Sequence, residues 1–244
     1  MRIKILDVGY DNVEVGEAVQ NALALLERED RKADIFFLNL ECLRLALEDA
    51  EYRKILEAAA LVLPDGVALS LATRWYGGRM KENCNGTDLM PLILRAAAEK
   101  GKKVFFFGAR EGVASEAARK LTAEIPSLQI VGSAPGYFQN HEEMIRKINA
   151  SGADILVTGM GTPLQEKWIA QHRQALSPQL CIGAGALFDW LSCRLQRAPQ
   201  WIRALSLEWL WRIFIEPRRM VKRYLIDGVP FFLKIIFCRF SRRG

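Results

Sequence analysis

The sequence predicts an α/β protein, with a layered core around a mostly parallel sheet and a basic helical appendage at the C-terminus. Two observations lead to this prediction. Short runs of apolar, β-branched and aromatic residues alternate with longer segments of helical periodicity, and the composition changes near residue 195. Such alternation is typical of domains in which helices cover both faces of a parallel sheet. A chain of 244 residues is long enough for one sizeable core with a smaller extension.

Six short runs rich in β-branched or aromatic residues are predicted strands, and several are apolar throughout, as strands buried on both faces are. They span residues 3–8, 34–38, 104–107, 129–131, 154–158 and 180–182. Between them, helical periodicity covers residues 16–28, 39–60, 90–100, 113–124 and 142–150. This order of strands and helices predicts a Rossmann-like layered core over residues 1–195.

The C-terminal part of the chain differs from the rest in charge. From Arg194 to the end there are 12 Lys and Arg against 3 Asp and Glu, a net charge of +9, whereas the preceding part has 22 against 25, a net charge of −3. We therefore assign residues 196–244 to a basic amphipathic appendage, in which Pro217 is expected to end or kink a helix. A cationic segment indicates an anionic partner such as a lipid phosphate, a membrane surface or a nucleic acid.

Histidine and cysteine usage argues against a metal site. The two histidines, His141 and His172, lie 31 residues apart, and none of the five cysteines forms a C-x-x-C pair. We therefore expect neither a metal nor a cofactor. The odd number of cysteines favours the reducing cytoplasm. The sequence shows no signal-peptide pattern and no apolar run of about 20 residues, so we expect no membrane-spanning helix.

The loops that follow strands are examined first for a site, because ligands bind at the carboxyl ends of parallel strands. Asp65 lies between Pro64 and Gly66, directly after an apolar run. A carboxylate at this position can act as a general base for a sugar hydroxyl. The same three residues are also an ordinary turn sequence, so the local pattern leaves both interpretations open.

Three further loops combine glycines with polar residues, so that the backbone can approach a ligand closely. They are FFFGAREG at 105–112, TGMGTPLQEK at 158–167 and IGAGALFDW at 182–190. In the second loop, Gln165 and Glu166 fall in the first turn of a helix and suit a uracil, ribose or diphosphate group. Structural alternatives also remain: glycine turns, a carboxylate that favours the helix dipole at Glu166, and core packing of Phe188 and Trp190.

Taken in order, these segments and their neighbours resemble the WecG/TagA/CpsF family of bacterial glycosyltransferases. The matching blocks are PDG at 64–66, GTDLM at 86–90, GYF at 136–138, GMGTPLQEKW at 159–168, GALFDW at 185–190, RAP at 197–199, LEWLWR at 207–212 and EPRR at 216–219. The resemblance covers roughly residues 1–228. Each block is short, and the specificity lies in their common order and spacing.

The resemblance implies transfer of an N-acetylmannosamine-like or related sugar from a UDP-sugar donor. The acceptor it implies is an undecaprenyl-diphosphate-linked sugar at the cytoplasmic face of the membrane, and it implies catalysis without a metal. Asp65 aligns with the family's proposed catalytic base and Gln165 with its active-site glutamine. The appendage cations expected to meet the diphosphate are Arg212, Arg219, Lys222 and Arg223. The other candidate substrate-binding residues are Gly66, Asp88, Gly108, Gly136, Tyr137, Gly159, Gly161, Glu166, Asp189 and Arg197.

Two positions depart from the family pattern. The family usually has threonine two residues before Asn39, where this chain has Phe37. A polar group is therefore absent, or its task has passed to Asn39, which joins the catalytic candidates. The family also tends to have arginine three residues before Gly86, where this chain has Asn83, and asparagine lacks the charge and the fork of donors that suit a phosphate or carboxylate. Both departures bear on the identity of the donor sugar.

Two rival functions are also compatible with the sequence. A nucleotide-sugar or nucleic-acid binding module would explain a basic arm, but no RRM or KH signature is present and we expect no nucleic-acid partner. An enzyme for a soluble sugar acceptor would work without the appendage. A homo-oligomer is compatible with each of these functions.

The end of the appendage, residues 229–244, mixes aromatic residues with cations. On a helix, Phe232, Ile235, Ile236 and Phe240 lie along one side. We expect this side to enter the interface of an anionic membrane, while the cations contact the headgroups. The alternative is that the segment packs on the α/β core as an ordinary closing helix.

Overall fold

The computed structural model describes residues 2–28, 31–204 and 207–241, without the side chains of residues 204 and 239–241. The predicted membrane contact of Phe240, and everything expected of residues 242–244, therefore lies outside the described residues. The strands are β1 Arg2–Ile5, β2 Val8–Asp11, β3 Ala33–Leu38, β4 Leu61–Pro64, β5 Lys103–Gly108, β6 Gln129–Ala134, β7 Ile155–Gly159 and β8 Leu180–Gly183.

Helices connect and flank these strands. In the core they are α1 Val15–Leu26, α2 Leu40–Glu48, α3 Ala50–Ala58, α4 Val67–Trp75, α5 Gly86–Glu99, α6 Val113–Glu124, α7 His141–Ala150, α8 Leu164–His172 and α9 Leu187–Leu191. The C-terminal part contains α10 Gln200–Ala204, α11 Glu208–Ile215, α12 Pro217–Val221, a π-helical segment Lys222–Gly228 and α13 Val229–Ser241.

Six of the described strands form one parallel sheet in the order β4-β3-β8-β7-β5-β6. The α/β fold class predicted from the sequence is therefore confirmed. Across the sheet, the sequence in which the chain forms the strands changes sense around β3, β8 and β7. The crevice at such a point is where ligands of open parallel sheets bind.

Side chains alternate between the two faces of the sheet. On β3, Ile35 and Phe37 point to a core formed with α1, α5, α6 and α9, whereas Phe36 and Leu38 point to a core formed with α2, α3, α4, α7, α8 and α13. The continuous apolar run of this strand is thus divided between two helix layers. The protein has the three-layer arrangement that such runs predict.

Two parts of the predicted secondary structure were wrong. The single strand predicted over residues 3–8 is an antiparallel hairpin of β1 and β2, because the chain turns at Leu6, which has a φ of +55°. The helix predicted over residues 39–60 is divided into α2 and α3, and Asp49 ends the first and caps the second by accepting hydrogen bonds from the N–H groups of Glu51 and Tyr52. The chain then enters β4, which is the apolar run that precedes Asp65 and for which no bounds had been predicted.

The C-terminal helices follow the proline signal. Helix α11 ends at Ile215 and α12 begins at Pro217, so the predicted break is confirmed. Helix α13 packs on the core: Phe231 and Ile235 are buried, and the Tyr76 hydroxyl and Trp75 indole N–H donate to the carbonyls of Ile235 and Ile236.

The membrane face expected on α13 was therefore wrong at Ile235, which faces the protein core because the helix lies against α4. Phe232 and Ile236 are half-buried, and the exposed apolar residues of this helix are instead Val229, Leu233 and Phe237. Among the described helices, none is both long and apolar enough to cross a bilayer. The division of the chain at residue 195 stays a prediction.

Candidate active site

Two polar side chains meet where β3 and β4 end. These strands are neighbours with Leu38 opposite Pro64, so the next residues, Asn39 and Asp65, are adjacent. The Asp65 N–H donates to the Leu38 carbonyl at 2.8 Å, which continues the ladder by one residue. The Asn39 side chain hydrogen-bonds to the Asp65 carboxylate. The sheet therefore places a carboxylate and an amide together at its carboxyl edge.

The orientation of the Asn39 amide follows from its other contacts. As the N-cap of α2, its Oδ1 accepts from the Cys42 N–H at 3.0 Å, which satisfies a free donor of the first turn. Oδ1 also lies 3.4 Å from Nη2 of Arg223. Because the oxygen is engaged by these donors, the NH₂ group of Asn39 is the part that donates to Asp65.

The turn after Asp65 is held by Asn83. Gly66 has a φ of +94°, a conformation that favours glycine, and its N–H donates to Oδ1 of Asn83 at 2.8 Å. The Cys84 N–H donates to the Pro64 carbonyl at 2.9 Å, so the loop is attached to both sides of Asp65. Arginine, the usual residue of the family here, has no acceptor atom and could not make the contact with Gly66.

The other departure, Phe37, is filled by apolar packing. Its side chain is buried, and its ring lies against Gly86 at the start of α5. No polar group replaces the missing threonine at position 37, so Asn39 is the side chain that hydrogen-bonds to Asp65 from β3.

The charge of Asp65 is set by opposing effects. Burial raises the pKa of its carboxyl, and the charge of Arg212, the hydrogen bond from Asn39 and the charge of Arg223 act in the opposite direction without cancelling it. Asp88 adds a small further increase. The net result is a pKa above the ordinary value for aspartate. A carboxylate with a raised pKa is a better proton acceptor, which suits a general base.

Arg212 and Arg223 reach this site from the C-terminal helices. The Arg212 guanidinium lies over the Trp190 ring, 5.0 Å from its centre, and its Nε is buried without a hydrogen-bond partner among the described residues. Nε of Arg223 is likewise buried and unpaired within the described part of the chain. Buried arginine donors without partners are unusual in a folded protein, because each normally finds an acceptor. They are suited to an anionic ligand beside Asp65.

Gln165 connects the segments that follow β7 and β8. Only 2% of it is exposed. Its Oε1 accepts from the Gly185 N–H at 3.0 Å, and its Nε2 donates to Oε1 of Glu166 at 2.9 Å. Both ends of the amide are therefore used by the protein. In this structure Gln165 fixes the loop after β7 to the loop after β8.

Glu166 is fully buried next to Gln165. Its Oε1 also accepts from the Thr162 hydroxyl at 3.1 Å, and its Oε2 has no hydrogen-bond partner among the described residues. Burial raises the pKa of this carboxyl, and the hydrogen bonds from Gln165 and Thr162 oppose that effect only in part. Its position makes Glu166 a support for Gln165, whereas its predicted contact with substrate stays untested.

The candidate glycines line the edge from β8 to β6. A β carbon at Gly108, which has a φ of +145°, would lie 2.5 Å from the backbone of Gly159, and one at Gly159 would lie 2.7 Å from the Phe188 ring. Gly136 donates its N–H to Ala109 at 2.9 Å and also packs against Gly108. Close packing of neighbouring strand ends thus requires these glycines, of which Gly108 and Gly159 are buried and Gly136 is partly exposed.

Two other candidates in these loops have open surroundings. Gly161 has a φ of +85° and nothing near the position of a β carbon. Tyr137, in the loop after β6, is 78% exposed. Both are accessible to a ligand at the edge of the sheet.

Asp88 and Arg197, predicted to bind substrate, contact each other. Nη2 of Arg197 lies 2.6 Å from Oδ1 of Asp88, and its Nε lies 3.7 Å from a carboxylate oxygen of Glu208. Together with Glu208, this pair links the first turn of α5 to the beginning of α11.

The remaining candidate cations and Asp189 have surroundings that differ from those of Arg212 and Arg223. Arg219 is exposed and pairs with Glu216 at 2.7 Å, and Lys222 is exposed. Asp189 lies 3.9 Å from Arg194. Of the four appendage cations predicted to meet a diphosphate, the structure therefore brings Arg212 and Arg223 to the site, and leaves the other two at the surface.

Three supporting residues were missed in the sequence. Asn83 was noted only as a departure, although asparagine often accepts hydrogen bonds from backbone N–H groups in turns. Trp190 was interpreted as core packing, although tryptophan is the best partner for a cation over a ring. Glu208 carried no signal, because its partner Arg197 lies in a different segment of the chain.

The two histidines were expected to be unsuitable for a metal, but the fold brings them together. Nε2 of His172 lies 3.2 Å from Nδ1 of His141, which also accepts from the Trp168 indole N–H at 3.0 Å. Among the described residues, no group of three or more His, Cys, Asp or Glu side chains has the arrangement of a metal site.

The fold and the site define an α/β protein that presents a carboxylate and two arginines at the carboxyl edge of a parallel sheet. The family model described as "Glycosyl transferase WecG/TagA/CpsF family" matches residues 3–244. This chain belongs to that family, and the resemblance noted in the sequence is confirmed.

Two curated relatives carry the same name, N-acetylglucosaminyldiphosphoundecaprenol N-acetyl-beta-D-mannosaminyltransferase. The protein of Bacillus subtilis (strain 168) is 31% identical over 187 residues, which cover 77% of this chain and 73% of that protein. The protein of Bacillus spizizenii (strain ATCC 23059 / NRRL B-14472 / W23) is 31% identical over 174 residues, which cover 71% of this chain and 68% of that protein. The chain is accordingly a glycosyltransferase.

Proposed function

We propose that this chain transfers N-acetylmannosamine, or a closely related sugar, from a UDP donor to an undecaprenyl-diphosphate-linked sugar. The observation that carries the proposal is the arrangement at Asp65, where a half-buried carboxylate lies within the field of Arg212 and Arg223. A base and an anion-binding pair are needed together when a sugar hydroxyl attached to a diphosphate attacks a nucleotide sugar. The names of the two Bacillus relatives support this donor sugar and acceptor class.

The proposed reaction is a single displacement. The acceptor hydroxyl oxygen forms a bond to the anomeric carbon while the bond from that carbon to the diphosphate oxygen breaks. The hydroxyl proton passes to Asp65, and UDP leaves. The hydrogen bond from Asn39 orients the carboxylate, and the raised pKa of Asp65 increases its ability to accept the proton.

The negative charges of the substrates require positive partners. We assign Arg212 and Arg223 to the diphosphate beside Asp65, since arginine forms strong bidentate contacts with phosphate oxygens. Their unpaired Nε groups supply donors that no described protein group uses. We propose that these arginines hold the lipid diphosphate of the acceptor, and that transfer proceeds without a metal ion.

The nucleotide sugar is assigned to the glycine-lined part of the edge. Gly108 and Gly159 are buried within this edge, and Gly136, Gly161 and Tyr137 are the candidates accessible beside them. We infer that the donor extends from this part of the edge toward Asp65 across the ends of β7, β8 and β3. Both substrates then meet at the end of β3 and β4.

We propose that the protein works at the inner face of the cell membrane as a peripheral protein. The C-terminal helices expose several large apolar residues together with cations: Trp209, Phe214, Leu225, Ile226, Leu233 and Phe237, with Arg218, Lys222 and Lys234. Exposed apolar groups with basic neighbours suit an anionic membrane interface. A membrane location would bring the C-terminal arginines to a lipid-held diphosphate.

The experiment that tests this function is a donor screen. The protein is incubated with UDP-sugars and a polyprenyl-diphosphate-GlcNAc acceptor, and released UDP and the lengthened lipid product are measured. We expect transfer with UDP-N-acetylmannosamine or a close analogue, and none without acceptor. Transfer to a free soluble sugar at the same rate, with or without the lipid diphosphate, would overturn the proposed acceptor class. Equal activity with EDTA present is the expected result for a metal-independent reaction.

A further inference from the structure

Three charged residues from distant parts of the sequence meet beside the candidate site. Arg197, in the segment between α9 and α10, donates to Asp88 on α5 at 2.6 Å and lies 3.7 Å from Glu208 on α11. Nη1 of Arg203 lies 3.9 Å from the same carboxylate oxygen of Asp88. Oδ2 of Asp88 accepts from the Asn85 amide at 2.7 Å, which fixes the carboxylate on the core.

We propose that Asp88, Arg197 and Glu208 form an ion-pair latch that positions Arg212 beside Asp65, so that these three residues act through Arg212 rather than on the substrate. This inference rests on the proposed function, in which Arg212 binds the diphosphate. It assigns to Asp88 and Arg197 a different role from the substrate contact that the sequence predicted.

The geometry of α11 connects the latch to Arg212. Glu208 and Arg212 are separated by one helical turn, so they lie on the same side of the helix. Holding Glu208 in place therefore also fixes the axial position and the rotation of α11, and with them the position of Arg212. A second contact holds the same region, because the Trp211 indole N–H donates to the Gln196 carbonyl at 3.0 Å, one residue before Arg197.

Arg212 has few contacts of its own that would determine its position. Its guanidinium packs on the Trp190 ring at 5.0 Å, and its Nε has no hydrogen-bond partner among the described residues. A cation over a ring tolerates sliding and rotation better than a directed hydrogen bond does. The orientation of Arg212 must therefore come largely from the backbone of α11, which the latch attaches to the core.

The three side chains of the latch are partly exposed to solvent. The side chains of Arg197 and Glu208 are less than one third exposed, and Asp88 is half exposed. A single exposed ion pair contributes little, but several charges that form a network hold a geometry better than one pair does. Removing Arg197 breaks its contacts with Asp88 and Glu208 at once and leaves the 3.9 Å contact between Arg203 and Asp88, so Arg197→Ala is the sharpest variant.

A double-mutant cycle separates positioning from substrate binding. Arg197→Ala, Arg212→Ala and the double variant are compared with the full-length protein for kcat/KM of donor and acceptor. If Arg197 acts through Arg212, each single variant should lower acceptor kcat/KM by about tenfold or more, the loss of a charge-assisted contact. The donor KM should change by less than a factor of about two, and the double variant should be no worse than Arg212→Ala. Losses that multiply in the double variant would show that Arg197 binds substrate by itself and would overturn the latch.

Hydrogen exchange of α11 tests the latch without any enzyme assay. Arg197→Ala and Asp88→Asn should increase exchange in peptides covering residues 208–215, while the matched control Arg119→Ala, which removes the exposed Arg119–Glu116 pair on α6, should not. Unchanged exchange in both latch variants would overturn the proposal, whatever their activity. If the wild-type protein transfers no sugar while both latch variants show the increased exchange, the proposed function is rejected and the latch is kept.

Discussion

Replacing Asp65 by asparagine removes the proposed base and keeps the shape of the side chain. Asparagine is well suited to the turn between Pro64 and Gly66, and an amide at this position can still accept the hydrogen bond from Asn39. The Gly66–Asn83 contact involves the backbone N–H of Gly66 and does not depend on the carboxylate. We therefore expect Asp65→Asn to fold as the wild type does.

The magnitude follows from the role and the surroundings of the carboxylate. Loss of a positioned general base lowers the rate by about 10²–10⁴. Stability should change in the other direction. Because the pKa of Asp65 is raised in the folded protein, the folded state binds the proton more tightly than the unfolded state. Its ionised form therefore costs stability, and this cost appears as the pH rises from the unfolded pKa through the folded pKa. Asp65→Asn should be at least as stable as the wild type at neutral pH.

The assay is UDP release with donor and lipid-linked acceptor, and thermal unfolding of both proteins at pH 7 is its control. In the wild type, kcat/KM should fall as the pH decreases through the pKa of Asp65, at a pH above the ordinary range of an aspartate. The variant should lack this acidic limb. A variant that keeps more than about half of the wild-type turnover would show that Asp65 is not the base, since the expected loss is at least about 10²-fold.

Further predictions concern the residues around Asp65. Arg223→Ala should raise the acceptor KM by about tenfold and leave the donor KM unchanged, because one charge-assisted contact to the diphosphate is lost; initial-rate kinetics with each substrate varied measure this. Gln165→Ala should lower the free energy of unfolding by about 1–3 kcal/mol, since it leaves the Gly185 N–H without its acceptor and removes one of the donors to Glu166; urea unfolding tests it. Gly108→Ala should destabilise the protein by at least about 1–3 kcal/mol, because the added carbon meets the backbone of Gly159.

The fold class was predictable because the signal is repeated many times along the chain. Strands such as β5 and β7 are apolar at consecutive positions and are buried on both faces, so composition alone identifies them. Strand β4 was recognised only as the apolar run before Asp65, without bounds, because it has four residues and follows a continuous amphipathic pattern. The break at Asp49, where a side-chain cap divides α2 from α3, depends on hydrogen-bond geometry that a periodicity does not contain.

The site was predictable in part, for a related reason. Asp65 and Asn39 follow strands directly, so a parallel sheet brings them to one edge. The contribution of Arg212 and Arg223 needed the family resemblance, because nothing in their local sequence indicates which cations of a basic segment face the core. The pairing of Asp88 with Arg197 joins residues 109 positions apart. Such a contact depends on tertiary structure alone, and the polar character of both residues made a substrate contact the simpler prediction.

The two sides of helix α13 suit two different roles, packing on the core and contact with a membrane. Ile235 is 1% exposed within the core, whereas Phe237, two residues later, is 67% exposed. Residues two apart on a helix lie on nearly opposite sides. The segment is therefore a closing helix on one side and a candidate membrane surface on the other, and deleting all of it would remove both roles together.

Two single substitutions test the two sides of α13. Ile235→Ala should lower the free energy of unfolding by about 2–5 kcal/mol, as large-to-small changes in a core do, and should leave vesicle binding unchanged at temperatures where the variant is folded. Phe237→Ser should change stability by less than about 0.5 kcal/mol, because the side chain is at the surface. Phe237→Ser should also weaken cosedimentation with vesicles of anionic lipid, because it removes an apolar group from the proposed membrane surface. Unchanged vesicle binding in Phe237→Ser would place the membrane contact elsewhere on the C-terminal helices. Weakened binding in a fully folded Ile235→Ala would show that the buried side is exposed at the membrane, and the core packing of α13 would then have to be released when the protein binds.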